Sequence, residues 1–359
     1  MVYAPPTSAS PNADAINELI VSADSHVMEA TDLWERLLPD SLKSRAPHFP
    51  PQNMKDGFRP APGGYDPHER VKEMAQDGVS AEVLYPTLGL KLFGLDDAEL
   101  QEGCFRTYND WLIDYCQVAS DRLVGVALLS VYDIDHAIRE LERCKRLGLL
   151  GAEIWQVPPS HLPFTSNHYD RLWAAAQDLE VPISLHILTG FNYSRDVSAF
   201  TGLELYRGSV NAKLTDVANS LFDIIFTGVF ERFPRLKLVL VENEIGWIPF
   251  LLQQWDYYVR RFRNANPPPI KELPSDYFWR NVYATFFNDA VGGRNLDWCG
   301  IGRFMWSSDY PHGNTTWPHS REVIQRDLGH LPADARGKLV RETVQQLYGM
   351  QLPATVAAA

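Results

Sequence analysis

The feature that most restricts this chain is an alternation. Eight short apolar runs rich in β-branched residues recur along it: Leu19–Ala23, Ala81–Tyr85, Leu123–Leu129, Leu150–Trp155, Val181–Ile187, Leu236–Val241, Val282–Phe287 and Phe304–Ser307. Between them lie stretches with helical spacing, among them His68–Gln76, Asp97–Ser120, Asp133–Leu147, Tyr169–Leu179, Leu214–Phe230 and Trp247–Phe262, with closing helices over Arg321–Tyr348. In Asp133–Leu147, Asp133 suits the N-cap, Ile134, Ile138 and Leu141 share a face, and Gly148 stops the helix. Strands that alternate with helices form parallel sheets, and eight such units predict an α/β fold closed as a (β/α)8 TIM barrel. An open doubly wound sheet is the alternative, but no G-x-G-x-x-G follows the first run.

The totals narrow the function. A net charge of −12, with no basic run, argues against nucleic acid or an anionic membrane surface as partner. No apolar run approaches the length of a membrane span. The four cysteines, Cys104, Cys116, Cys144 and Cys299, show no C-x-x-C spacing, which fits a reducing, cytoplasmic setting better than a disulfide framework. Residues 1–18 are rich in Pro, Ser, Ala and Asn and lack the basic and apolar regions of a signal peptide, so they read as a mobile tail. One barrel domain is expected over 19–350, with a short tail at 351–359. Long insertions after the first strand and after the fifth (Thr189–Asn211) are expected to cover the pocket.

Ionisable residues fall at the strand ends. Asp24 and His26 follow the first run, His186 ends the fifth, Glu242 ends the sixth and Asp309 ends the eighth. In a barrel these positions converge on the C-terminal rim. The D-x-H spacing puts two side chains on one side of an extended chain, so Asp24 and His26 can grip one ion together. Each residue alone has an ordinary explanation as a cap, a core histidine or an ion-pair partner. The coincidence of four strand ends favours a metal, and imidazole with carboxylate suits Zn, Mn or Fe.

Four stretches carry a family likeness: S-A-D-S-H-V-M-E-A at Ser22–Ala30, V-P-I-S-L-H-I at Val181–Ile187, L-V-L-V-E-N-E-I-G-W-I-P at Leu238–Pro249 and M-W-S-S-D-Y-P-H at Met305–His312. With them the chain resembles the amidohydrolase-related TIM-barrel family, in the branch of aminocarboxymuconate-semialdehyde decarboxylase. The resemblance implies that His26, His186 and Asp309 bind a metal, with Asp24 in place of the usual first histidine. On the sixth strand Asn243 stands where many relatives have an acid–base histidine, and an amide takes no proton at neutral pH.

Glu242 and His312 extend the potential ligands to six: Asp24, His26, His186, Glu242, Asp309 and His312. Six donors exceed the need of one catalytic ion, and the pattern resembles relatives that hydroxylate C–H bonds with O2 at a dinuclear Fe/Fe or Mn/Fe centre. That reaction is the leading expectation, with Glu242, His312 and Asp309 as catalytic residues and a small molecule, expected to be an organic acid, as substrate. The alternative is one Zn or Mn ion in a hydrolase or non-oxidative decarboxylase, with Glu242 or Glu244 in the proton role and His312 orienting Asp309. A further alternative is a non-catalytic subunit paired with an active paralogue, and a homodimer or hetero-oligomer is the expected assembly. Glu29 reads as a cap. Glu153, at the end of the fourth strand, is either a ligand or a hydrogen-bonded interior residue. Trp155, Phe191, Tyr193 and Trp317 are candidates for the pocket lining, although most such aromatics pack in the core.

Overall fold

The computed structural model describes residues 18–50, 61–191 and 203–352. Eight parallel strands pair in chain order: β1 (Ile20–His26), β2 (Val79–Tyr85), β3 (Leu123–Leu128), β4 (Gly151–Ile154), β5 (Ile183–His186), β6 (Leu238–Val241), β7 (Val282–Phe286) and β8 (Phe304–Trp306). The last strand returns to the first through backbone bonds from Asp309 N to Asp24 O (3.0 Å) and from His26 N to Tyr310 O (2.6 Å). This is a (β/α)8 barrel.

Alternation along the strands sorts the apolar residues into two cores. One set, including Ile20, Leu84, Ala152, Leu185, Leu240 and Phe286, faces the surrounding helices. The other, with Val21, Ala23, Val83, Val126, Val239, Val241 and Met305, fills the barrel interior. Val344, Tyr348 and Met350 of the closing segment join the interior set, and Tyr348 packs against the start of β4 at Gly151. The chain thereby plugs the N-terminal end of the barrel, and the other end is left for chemistry.

Several boundaries differ from the sequence reading for local reasons. The first strand was expected to end at Ala23, but β1 continues to His26, because Ser25 and His26 pair with Leu84 and Tyr85 of β2. Asp24 and His26 therefore lie within the strand, beside a register shift between Ser22 and Ser25, and such bulges re-aim side chains. The Thr189–Asn211 stretch is not all loop, since Leu203–Asn211 is helical. It runs through a π-helical turn, Ala212–Asp216, into Val217–Phe226. Gly228, at φ +75°, then breaks the expected Leu214–Phe230 helix and starts the short Val229–Arg232 turn. Tyr193, nearly all of the expected N-terminal tail and most of the C-terminal tail lie outside the described residues. Among the described residues no helix is long and apolar enough to cross a membrane.

Candidate metal centre

The structure brings all six of the named side chains to the C-terminal end of the barrel. Donor atoms of Asp24, His26, His186 and Glu242 lie within 4.8 Å of one another, as do those of His26, Glu242, Asp309 and His312. His26 Nε2 is 3.4 Å from both Asp24 Oδ1 and Asp309 Oδ1. His186 Nε2 is 3.7 Å from Asp24 Oδ1 and 3.9 Å from Glu242 Oε2. The rings of His26 and His312 lie 3.9 Å apart between centres, tilted by 30°, and His186 meets His26 edge-on at 5.0 Å.

Backbone carbonyls orient both strand histidines. His26 Nδ1 donates to Pro86 O at 2.6 Å and His186 Nδ1 to Ile187 O at 2.9 Å, which turns each Nε2 lone pair toward the cluster. His312 sits differently: Nδ1 is 2.8 Å from Asp309 Oδ1 and Nε2 is 3.1 Å from Thr87 Oγ1. The backbone is also held in unusual conformations around the cluster. Of the five non-glycine residues at positive φ among the described residues, Glu242, Glu244 and Asp309 lie just past the ends of β6 and β8, and Leu188 follows His186 by two. Left-handed residues of this kind cost energy and persist where the surroundings enforce them.

The electrostatics call for a positive charge. Asp24, His26, His186 and Asp309 are fully buried, and neither oxygen of Asp24 makes a hydrogen bond, nor does Nε2 of His26 or of His186, while Asp309 Oδ1 meets His312 Nδ1 at 2.8 Å and its Oδ2 makes no hydrogen bond. Buried polar atoms without partners are rare in folded proteins. Burial, reinforced by Asp24, pushes Asp309 up to about 7, and burial together with Asp309 does the same to Glu242. Burial opposes charge on His186, yet Asp24 beside it raises its pKa to about 10, so the pair demands a cation. A divalent ion meets that demand without a proton, and unsatisfied carboxylate and imidazole atoms are the donors Mn, Fe or Zn takes. The residues present fit such an ion.

Other candidates separate. Glu29 caps the turn after β2, accepting from the N–H groups of Thr87, Leu88 and Gly89 at 3.1, 2.9 and 2.9 Å. Glu153 points into the barrel with neither oxygen hydrogen-bonded, and burial pushes it up to about 8, so the hydrogen-bonded alternative does not hold. Asn243 is tied back to Val241 O at 2.7 Å and to Gln156 Nε2 at 3.2 Å. Trp155 is a core residue bonded to Tyr169 Oη at 3.0 Å, with Phe191 against it, and Trp317 donates to Glu73 O at 3.1 Å.

The sequence reading missed two basic residues that support the site. Arg70, fully buried, bonds Glu82 at 2.5 Å and donates to His26 O at 2.7 Å, clamping the end of β1. Lys213 pairs with Glu244 at 3.3 Å. Its signal was slight, a single lysine just ahead of an apolar helical run.

Comparison with known proteins bears on the family and on the fold. A family model for amidohydrolases matches residues 48–350, a span that begins after Asp24 and His26. The chain is 26% identical over 271 residues to gamma-resorcylate decarboxylase of Polaromonas sp., covering 72% of this chain and 82% of the relative. It is 30% identical over 260 residues to the enzyme of that name from Rhodococcus jostii, covering 68% and 75%. A crystal structure of a dihydroxybenzoic acid decarboxylase from Polaromonas sp., with bound manganese and the inhibitor 2-nitroresorcinol, shares the fold. Its TM-score is 0.70 at 21% identity, over 92% of this chain and 97% of that one.

Proposed function

This chain belongs to the amidohydrolase family of metal-dependent enzymes, and we propose that it is a non-oxidative decarboxylase of a small hydroxylated aromatic acid that works with one manganese-type ion. One observation carries the reading: buried donors of Asp24, His26, His186 and Asp309, most of them without a hydrogen-bond partner, converge in a chain whose relatives named above are aromatic-acid decarboxylases. Those relatives favour the decarboxylase alternative over O2-dependent hydroxylation.

The reaction replaces a ring carboxylate by hydrogen. The C–C bond breaks, its electron pair stays on the ring carbon, CO2 leaves, and one proton adds to that carbon. Asp24, His26, His186 and Asp309 would hold the ion, which supplies a Lewis acid for the oxygens of the substrate. Pro86 O and Ile187 O keep the two imidazoles aimed, so little rearrangement is needed. The proton falls to Glu242, since Asn243 cannot carry one. The Glu242 carboxyl faces His186 at 3.9 Å, and its backbone N–H is fixed by Thr285 Oγ1 at 2.8 Å. His312 holds Asp309 in place and is itself steadied by Thr87.

The test is CO2 release from a panel of hydroxybenzoic acids by manganese-loaded protein in D2O, with and without air. Release independent of O2, with one deuterium on the ring, supports the reading. Glu242→Gln should keep its metal and lose roughly 10²- to 10⁴-fold in rate, the usual worth of a positioned proton donor. The second donor set, His26, Glu242, Asp309 and His312, favours one rival: a dinuclear Fe or Mn/Fe centre that hydroxylates with O2. Under that rival Glu242→Gln loses an ion, and labelled O2 enters the product. No CO2 from any acid, or oxygen consumption coupled to product, overturns the decarboxylase.

A further inference from the structure

A mouth lined with carboxylates repels an organic acid, and one lysine answers that problem. Lys213 lies in the π-helical turn Ala212–Asp216, between the helices Leu203–Asn211 and Val217–Phe226. A π turn widens the helix locally and re-aims its side chains, and such turns recur at functional sites. Here Lys213 Nζ lies 3.3 Å from Glu244 Oε1 and 4.9 Å from the centre of the Phe287 ring. The other oxygen of Glu244 accepts from the Phe287 N–H at 3.4 Å, so the three residues form one cluster joining the ends of β6 and β7. Glu242, two residues before Glu244, belongs to the metal-type cluster, and the charge of Lys213 bears on both Glu242 and Asp309. The lysine side chain keeps 32% of its surface exposed, so an incoming molecule can reach it.

We propose that Lys213 is the anion anchor of the site, receiving an oxygen of the negatively charged aromatic acid while Glu244 and Phe287 hold the ammonium in position. The assignment rests on the aromatic-acid reading above. A partly exposed Lys–Glu pair contributes little to stability, so a purely structural role would leave ligand choice untouched. An anchor, in contrast, discriminates by charge, because the ion-pair attraction between an ammonium and a carboxylate is lost when either partner becomes neutral.

The experiment compares 2,6-dihydroxybenzoate with its neutral carboxamide, binding each by calorimetry to manganese-loaded wild type, Lys213→Met and Lys213→Arg. Lys213→Met should weaken the acid roughly 10- to 100-fold and leave the amide within about threefold, with Lys213→Arg recovering most of the loss. Where turnover is seen, KM for the acid should rise with kcat nearly unchanged. Equal weakening of acid and amide, or an unchanged affinity for the acid, overturns the anchor. A fall in kcat alone overturns it too, since it would place Lys213 in proton transfer. Charge discrimination by Lys213 without CO2 release from any acid supports the anchor and removes the decarboxylase reading.

Discussion

The number of ions at this site can be counted by heat. Unfolding entropy near 60 °C is about 2.1 cal/mol/K per residue, which over 359 residues is about 0.75 kcal/mol/K. An ion that binds only the folded chain adds RT ln(1 + [M]/Kd) of stability, or about 1.4 kcal/mol for each tenfold rise in free metal above Kd. One ion therefore raises Tm by about 1.9 °C per decade of manganese, and two independent ions by about twice that. The assay is a thermal melt of chelator-stripped protein across three decades of buffered Mn²⁺. Asp309→Asn removes a buried carboxylate whose Oδ2 has no other partner, and should flatten the slope. Lys213→Met leaves the donor set intact and should keep it. A wild-type Tm indifferent to manganese, zinc and iron would refute the inference from orphaned donors to a metal centre. A slope near 4 °C per decade would move the reading to the two-ion rival.

Two further outcomes follow from residues beside the site. Glu82→Gln leaves the guanidinium of Arg70 buried without its counter-charge, so urea melts should show a loss on the order of 3–5 kcal/mol, and Arg70→Met with Glu82→Leu should recover most of it. Burial pushes the Asp216 carboxyl from its ordinary 3.8 up to about 6. Between those values the folded chain binds more protons than the unfolded one, so stability falls as pH rises through the window. Asp216→Asn should thus be more stable than wild type at pH 7.5 and lose that advantage near pH 4.

What the sequence made legible was whatever a strand end can announce. His186, Glu242 and Asp309 each close an apolar run, and the barrel geometry that follows from eight such runs sends them to one rim. Asp24 and His26 were legible as a pair but were placed after the strand, because the pairing of Ser25 and His26 with Leu84 and Tyr85 that prolongs β1 is made with a strand far along the chain. The same holds for the support of the site. Arg70 and Glu82 sit on a helix and a strand whose residues carry no mark of their pairing, and Lys213 is aimed by a π turn that no periodicity reveals. Chemistry that depends on residue type at a strand end is local and can be read in one dimension. Chemistry that depends on charge balance is not, because the burial that makes Asp24 and Asp309 demand a cation, and the packing that sets Lys213 beside Glu244, exist only once the barrel has closed.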